Sequence, residues 1–252
     1  MAQPRTGPQD RSSQSLRVQV LAAMAMESPR RGEAGLGGVL NRLCRTIVVE
    51  LDATGAAVNM MSPPGSTPSV IGTSDDASTR VDDLQFIVGE GPCHDALPTG
   101  RPVHSADLST ETRWPGYCSA ALDCGIGSVY AFPLQVGAVD LGVLDLYMSR
   151  PRPLSEEDVS VALAFAEMAT ECLLHTDATA NASFLNPGLQ SALGSRAHLY
   201  QAQGMVMVDQ DISLTDALVR IRTFSFTHRR AISDVARDIV AGTLAMTVPA
   251  RP

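Results

Sequence analysis

The stretch Val129-Tyr-Ala-Phe-Pro-Leu-Gln-Val136, followed by Gly137-Ala-Val-Asp140 and Leu141-Gly-Val-Leu-Asp-Leu-Tyr-Met148, decides the architecture of the larger part of the chain. Two runs rich in β-branched and aromatic residues, joined by a short turn with a glycine, predict an antiparallel hairpin. A second hairpin is expected upstream, where Gly55 to Met61 and Ser69 to Thr73 flank the loop Ser62-Pro-Pro-Gly-Ser66. Before it, Leu36, Val39, Leu40, Leu43, Ile47 and Val48 recur on one stripe and predict a helix over about Leu36 to Leu51. A shorter helix, capped by Ser15 and stopped by Ser28-Pro29, carries Leu16, Val20, Leu21 and Met24. After the second hairpin, Ser155 with Glu156, Glu157 and Asp158 is a capped, acid-rich helix start that suits the positive end of the helix dipole. Along that helix Val159, Leu163, Ala166, Ala169 and Leu173 form a narrow stripe, suited either to the domain's own sheet or to a second copy. Hairpins framed by helices predict an α+β domain with an antiparallel sheet flanked by helices.

A chain of 252 residues is long enough for two such units. Residues 1–14 are polar, rich in Pro and Gly and without periodicity, and read as a disordered tail. The α+β domain takes 15–175. Residues 176–188, rich in Ala, Thr and Asn and closing on Asn186-Pro187-Gly188, read as a linker to a helical domain over 189–247, with a tail at 248–252. No apolar run approaches the roughly 18 residues of a membrane span, and no secretory leader opens the chain, so a cytoplasmic location without membrane contact is expected. Five scattered cysteines without a C-x-x-C spacing argue for free thiols rather than a zinc or disulfide framework. Neither a phosphate-cradling glycine loop nor a nucleophile elbow occurs. A non-catalytic protein is expected, with no metal and no cofactor.

The last part is all helical in pattern. Leu189 to Val208 makes one long helix. Ser213 with Asp216 starts a second over Leu214, Ala217, Leu218 and Ile221, and Ser233 is placed to cap a third over Val235, Ala236, Ile239 and Val240. All basic residues of the chain are arginines, and net charge is −8. Between Arg196 and Val240, however, six arginines face five aspartates, whereas the remainder carries thirteen arginines against 22 acidic residues. A polyanion would therefore meet the C-terminal quarter and be repelled elsewhere. No helix has the basic N-terminal half of a major-groove reader, which disfavours a DNA-binding role.

The blocks Ala192-Leu-Gly-Ser-Arg196, Gln201-Ala-Gln-Gly-Met205, Ala217-Leu, Ile221-Arg222 and Ile232-Ser-Asp-Val-Ala-Arg-Asp-Ile-Val240, with their spacing, resemble an ANTAR domain from end to end. The resemblance implies a three-helix RNA-binding unit that holds paired hairpin loops of nascent transcripts and so promotes antitermination, commonly as a homodimer. It points to RNA contacts by Arg196, Gln201, Ala202, Gln203, Gly204, Arg222, His228, Arg229, Arg230 and Arg237, with a solvated surface role an equal alternative for Arg196, Arg222, Arg229, Arg230 and Arg237. For Gly204, close helix packing is an equal alternative. The chain departs from the commoner pattern at Gln203, where a Lys is frequent, and at Thr223-Phe-Ser-Phe226, which replaces a more basic run. Both departures imply weaker or different RNA binding.

Upstream, Gly89-Glu-Gly-Pro-Cys93, Asp95-Ala, Thr99-Gly-Arg-Pro-Val103, Arg113-Trp-Pro115, Ala131-Phe-Pro-Leu134 and Leu141-Gly-Val-Leu-Asp-Leu146 resemble the GAF domains that precede ANTAR domains in actinobacterial proteins. That likeness implies a cup over an antiparallel sheet that takes a small-molecule or protein signal, with Cys93, Trp114 and Tyr130 as candidate ligand contacts. For Trp114, core filling is the favoured alternative. Some GAF domains are thiol enzymes, so Cys93, Cys118 and Cys124 leave a redox enzyme or redox sensor as the alternative function.

Overall fold

The central strand β5 (Val139–Met148) pairs with β1 (Gly55–Met60) on one side and β4 (Ser128–Val136) on the other. Strand β2 (Ser69–Thr73) extends the β1 edge and β3 (Val103–Ser105) the β4 edge, giving the antiparallel order β2-β1-β5-β4-β3. The computed structural model describes residues 8–30, 33, 35–60, 69–137, 139–174, 187–228, 230 and 232–246. Both expected hairpins are present. The β4–β5 turn is tighter than its sequence suggests, because Val136 already faces Val139 and Gly137 takes a left-handed φ of 59°. Among the described residues, no helix is long and apolar enough to cross a membrane.

Alternation along the strands sends side chains to two different layers. Ala56 and Val58 of β1, Tyr130, Phe132 and Leu134 of β4, and Leu144, Leu146 and Met148 of β5 face one way. They are covered by α1 (Pro8–Met26), which supplies Val20 and Met24, and by α2 (Gly35–Glu50) and α6 (Glu156–Leu174), which supply Leu40, Leu43, Ile47 and Phe165. The α6 stripe thus packs chiefly on its own domain, although Leu163 stays 41 % exposed. The cap expected at Ser155 forms, its Oγ accepting from the Asp158 amide.

The other sheet face is covered by three helices absent from the sequence reading: α3 (Asp76–Val88), α4 (Pro92–Thr99) and α5 (Pro115–Asp123). Their signals are terminal rather than periodic. Asp75 caps α3 by accepting from the Ser78 amide, Gly89 closes it at φ 81°, and prolines occupy the first turns of α4 and α5. Short helices whose apolar side lies against a sheet need only a few buried residues, so periodicity cannot declare them.

The C-terminal bundle comprises α7 (Pro187–Gln210), α8 (Leu214–Thr227) and α9 (Ile232–Val240) around Leu199, Val206, Ile221, Val235 and Ile239. Ser213 caps α8 as expected. Three boundaries are corrected. Helix α1 starts at Pro8, so half of the expected tail is helical and Ser15 lies inside the helix. Helix α9 begins one residue before Ser233, and α7 takes in the last two positions of the expected linker. The rest of that linker, at 176–186, and the tail at 248–252 lie outside the described residues.

Glycine 142 allows β5 to lie against β1, since a Cβ there would stand 1.8 Å from the Asn59 carbonyl oxygen. Gly142→Ala is therefore expected to cost about 2–4 kcal/mol, because backbone must move. Gly137→Ala, in open space but at positive φ, should cost only about 1 kcal/mol. Urea midpoints decide it, and equal losses would contradict the packing described.

Candidate functional site

On the face covered by α3, α4 and α5, the strands present polar groups where apolar ones are expected. Asn59 of β1 and Asp145 and Tyr147 of β5 share this face, and all are buried. Helix α3 brings Asp82 and Gln85 onto them one turn apart. The Asn59 amide donates to Asp82 Oδ1 at 2.7 Å and to Asp145 Oδ2 at 3.0 Å, Tyr147 Oη donates to Asp82 Oδ1 at 2.9 Å, and Gln85 Nε2 reaches Asp145 Oδ2 at 3.3 Å. Three buried atoms in this region have no hydrogen-bond partner: Asn59 Oδ1, Asp145 Oδ1 and Tyr117 Oη. Burial, reinforced by the Asp82 charge, holds the Asp145 carboxyl well above the usual carboxylate range. Burial likewise pushes the Tyr147 and Tyr117 phenols up.

A small cleft opens beside this cluster, lined by Asn59, Asp82, Asp83, Gln85, Phe86, Cys93 and His94. The start of α4 is pinned there, since Gln85 Oε1 accepts from the Cys93 amide at 2.8 Å. His94 Nε2 meets the Gln85 carbonyl at 3.0 Å, and burial keeps its pKa below the ordinary histidine value.

The sequence candidates on this domain separate. Cys93 lines the cleft, but it is 3 % exposed and burial drives its thiol well upward. Trp114 belongs to the core with Tyr117, Val129 and Tyr147, its Nε1 donating to Asp95 at 2.9 Å, which is the core-filling role. Tyr130 stands on the opposite face of the sheet from Cys93, with its hydroxyl on the Arg152 carbonyl, and does not line the cleft. Of the other thiols, Cys118 is buried with its pKa pushed up to about 11, and Cys124 is exposed. A nucleophile needs the thiolate, so neither Cys93 nor Cys118 has the environment of one. Among the described residues no cluster of His, Cys, Asp or Glu is placed to hold a metal ion.

The bundle candidates separate as well. Ala202 is fully buried in the bundle core, and Gln203 is buried with its Nε2 on the Leu214 carbonyl at 2.7 Å, so both hold α7 on α8. A Cβ on Gly204 would meet nothing within 4 Å, which removes close packing inside this chain as its reason. Gln201 and His228 are exposed, His228 stacking on Phe224 at 3.9 Å. Arg230 pairs with Asp238, and Arg237 pairs with Asp234 at 2.7 Å, both at the surface. Phe226, at 60 % exposure, stands near this turn. Arg229 and the Arg196 side chain lie outside the described set.

Arg222 of the bundle lies against the sheet domain. Its guanidinium lies 5.2 Å from the centre of the Phe86 ring and against the open side of Gly89, where a Cβ would meet Nη1 at 2.8 Å. Phe86 and Ile87 of α3 join the apolar core of the bundle. Burial lowers the Arg222 pKa, and its Nε has no hydrogen-bond partner. The α3–α8 contact thus covers an arginine of the bundle with the rim of the acidic cleft. The residues missed from sequence, Asn59, Asp82, Gln85, Phe86 and Asp145, had one legible signal: Asp145 interrupts an apolar strand run, and a lone acid there is buried only for cause.

The GAF domain family matches residues 33–173, and the ANTAR domain family matches residues 188–240. Similar solved structures include the GAF domain from a phosphoenolpyruvate-protein phosphotransferase of Coxiella burnetii, 15% identical with a TM-score of 0.50, covering 66% of this chain and 94% of that one. The GAF domain of the Acinetobacter phosphoenolpyruvate-protein phosphotransferase is 11% identical at a TM-score of 0.48, covering 65% and 94%. Free methionine-R-sulfoxide reductase from Neisseria meningitidis is 12% identical at 0.46, covering 69% and 95%. At these identities the likeness is one of fold alone. No curated protein matches the chain.

Asp145 gives the cluster a signed pH signature. The folded chain keeps the proton that the unfolded chain releases near the ordinary carboxylate pKa, so raising pH favours unfolding. Asp145→Asn, similar in shape and never ionised, should therefore gain in stability relative to the parent as pH rises from about 5, above the ordinary carboxylate pKa. Thermal melts across that range test it, and a constant difference would mean that the carboxyl is ionised throughout.

Proposed function

Because the chain belongs to the GAF family and carries an ANTAR domain behind its sheet, we propose that it is a non-catalytic, signal-responsive regulator whose bundle grips paired stem-loops of nascent RNA, as a homodimer, and so promotes antitermination. The observation that carries this reading is the ANTAR match over α7, α8 and α9. The exposed chemistry around the α8–α9 turn supports it. Arg230 and Arg237 reach phosphates by exchanging surface ion pairs that contribute little to stability, and Phe226 with His228 offers flat faces to unstacked loop bases. On α7, Gln201 is exposed and Gly204 carries no side chain to limit approach. The net negative sheet domain repels RNA and confines it to the bundle.

The α3–α8 contact provides regulation. With Arg222 against Phe86 and Gly89, one cation is withheld from RNA, and a signal in the cleft beneath Phe86 acts on that contact. The thiol-enzyme alternative loses its ground, since Cys93 and Cys118 are buried with raised pKa values.

Mobility shifts with a two-hairpin leader RNA test both parts. Arg229→Ala with Arg230→Ala should weaken binding by about tenfold per lost phosphate contact, equivalent to about 1.4 kcal/mol each. Phe86→Ala should tighten it by releasing Arg222. Undiminished binding in the double variant removes the proposed surface, and unchanged affinity in Phe86→Ala removes the regulatory contact.

A further inference from the structure

We propose that the turn between α8 and α9 is a binding site for one unpaired nucleotide of RNA, with the base stacked on the outer face of His228 and the phosphate on Arg230. The inference rests on reading the bundle as the RNA-binding part, and it adds where a single loop base sits.

The first argument is the platform. The His228 ring lies on the Phe224 ring with 3.9 Å between centroids and 18° between planes. Its Nδ1 donates to the Phe224 carbonyl at 2.9 Å, since a carbonyl oxygen can only accept, and this bond fixes the tautomer and holds the ring from turning. Closing the helix end does not require it, because the His228 backbone N–H already donates to the same oxygen at 3.0 Å. Phe224 in turn packs against the apolar core of the bundle, while His228 is exposed. The stack therefore runs from the core outward, and among the described residues no further ring covers its outer face. A ring already held in place stacks on a nucleobase with little ordering cost.

The second argument is the neighbouring charge. Arg230 stands two residues on, and the backbone fixes its place relative to the ring. Its N–H donates to the Ser225 carbonyl at 3.0 Å, and the Ser225 hydroxyl donates back to the Arg230 carbonyl, with Ser225 itself only 1 % exposed. The Arg230 guanidinium holds Asp238 at the surface, an ion pair that a phosphate replaces at small cost. A flat face and a cation on one turn match the base and the phosphate of one nucleotide. Paired bases in a duplex have both faces covered, so the base that fits is an unstacked one from a loop.

The test uses the full chain and a two-hairpin leader RNA carrying 2-aminopurine at one loop position at a time, read by fluorescence and by mobility shift. At one position the fluorescence should be quenched on binding, as that base stacks on the ring. His228→Ala should abolish this quench and weaken binding at least about fivefold without changing its salt dependence. His228→Tyr, which restores a ring, should bring the quench back. Arg230→Ala should keep the quench and lower the salt slope by about one phosphate contact. Binding by the parent with no quench at any loop position, a quench that survives His228→Ala or fails to return with tyrosine, or a salt slope unchanged by Arg230→Ala overturns this inference alone. No binding of leader RNA by the parent overturns the proposed function, and this inference falls with it.

Discussion

The hydrogen-bonded burial of Asp145 against Asp82 is the constraint on which the rest of the sheet domain depends. An acid in the central strand forces its neighbours to be donors, which accounts for Asn59 across the β1–β5 ladder, Tyr147 two residues on and Gln85 one turn along α3 from Asp82. Helix α3 is thereby held in register on the sheet, and Gln85 in turn positions the start of α4 through the Cys93 amide. Replacing such a network by well-packed apolar side chains is often neutral or stabilising, whereas removing one partner alone leaves a buried polar group unpaired and is costly.

That network lies next to the contact with the bundle. Phe86 follows Gln85 directly, and its ring carries the Arg222 guanidinium while its edge joins the apolar core of α7, α8 and α9. The polar floor of the cleft and the apolar lid over it are therefore adjacent residues of one helix. A shift of α3 by a fraction of a turn would alter both, because packed interfaces tend to switch between discrete arrangements rather than deform smoothly.

The bundle shows how one motif divides between packing and recognition. In Gln201-Ala-Gln-Gly, Gln201 is exposed, Ala202 and Gln203 are spent on helix contacts, and Gly204 is left open. Gln203 is buried and donates to the Leu214 carbonyl, so this position serves the α7–α8 contact. The Phe224 region likewise yields a stacked His228 and an exposed Phe226 near the basic turn.

The sequence by itself determined both hairpins, the helices of the first sheet layer, the Ser155 and Ser213 caps and the three-helix bundle, because period-2 and period-3.6 patterns and cap residues are local properties that survive without tertiary contacts. The second layer, α3 to α5, was legible only in its terminal signals at Asp75, Gly89, Pro92 and Pro115. Tertiary structure alone decided that Tyr130 and Cys93 occupy opposite faces, that Trp114 fills the core, that Arg222 is covered, and that Asn59, Asp82 and Asp145 meet although up to 86 positions separate them. The physical reason is that a carboxyl's protonation and a side chain's accessibility are set by neighbours brought together through folding, and no local pattern along the chain encodes them.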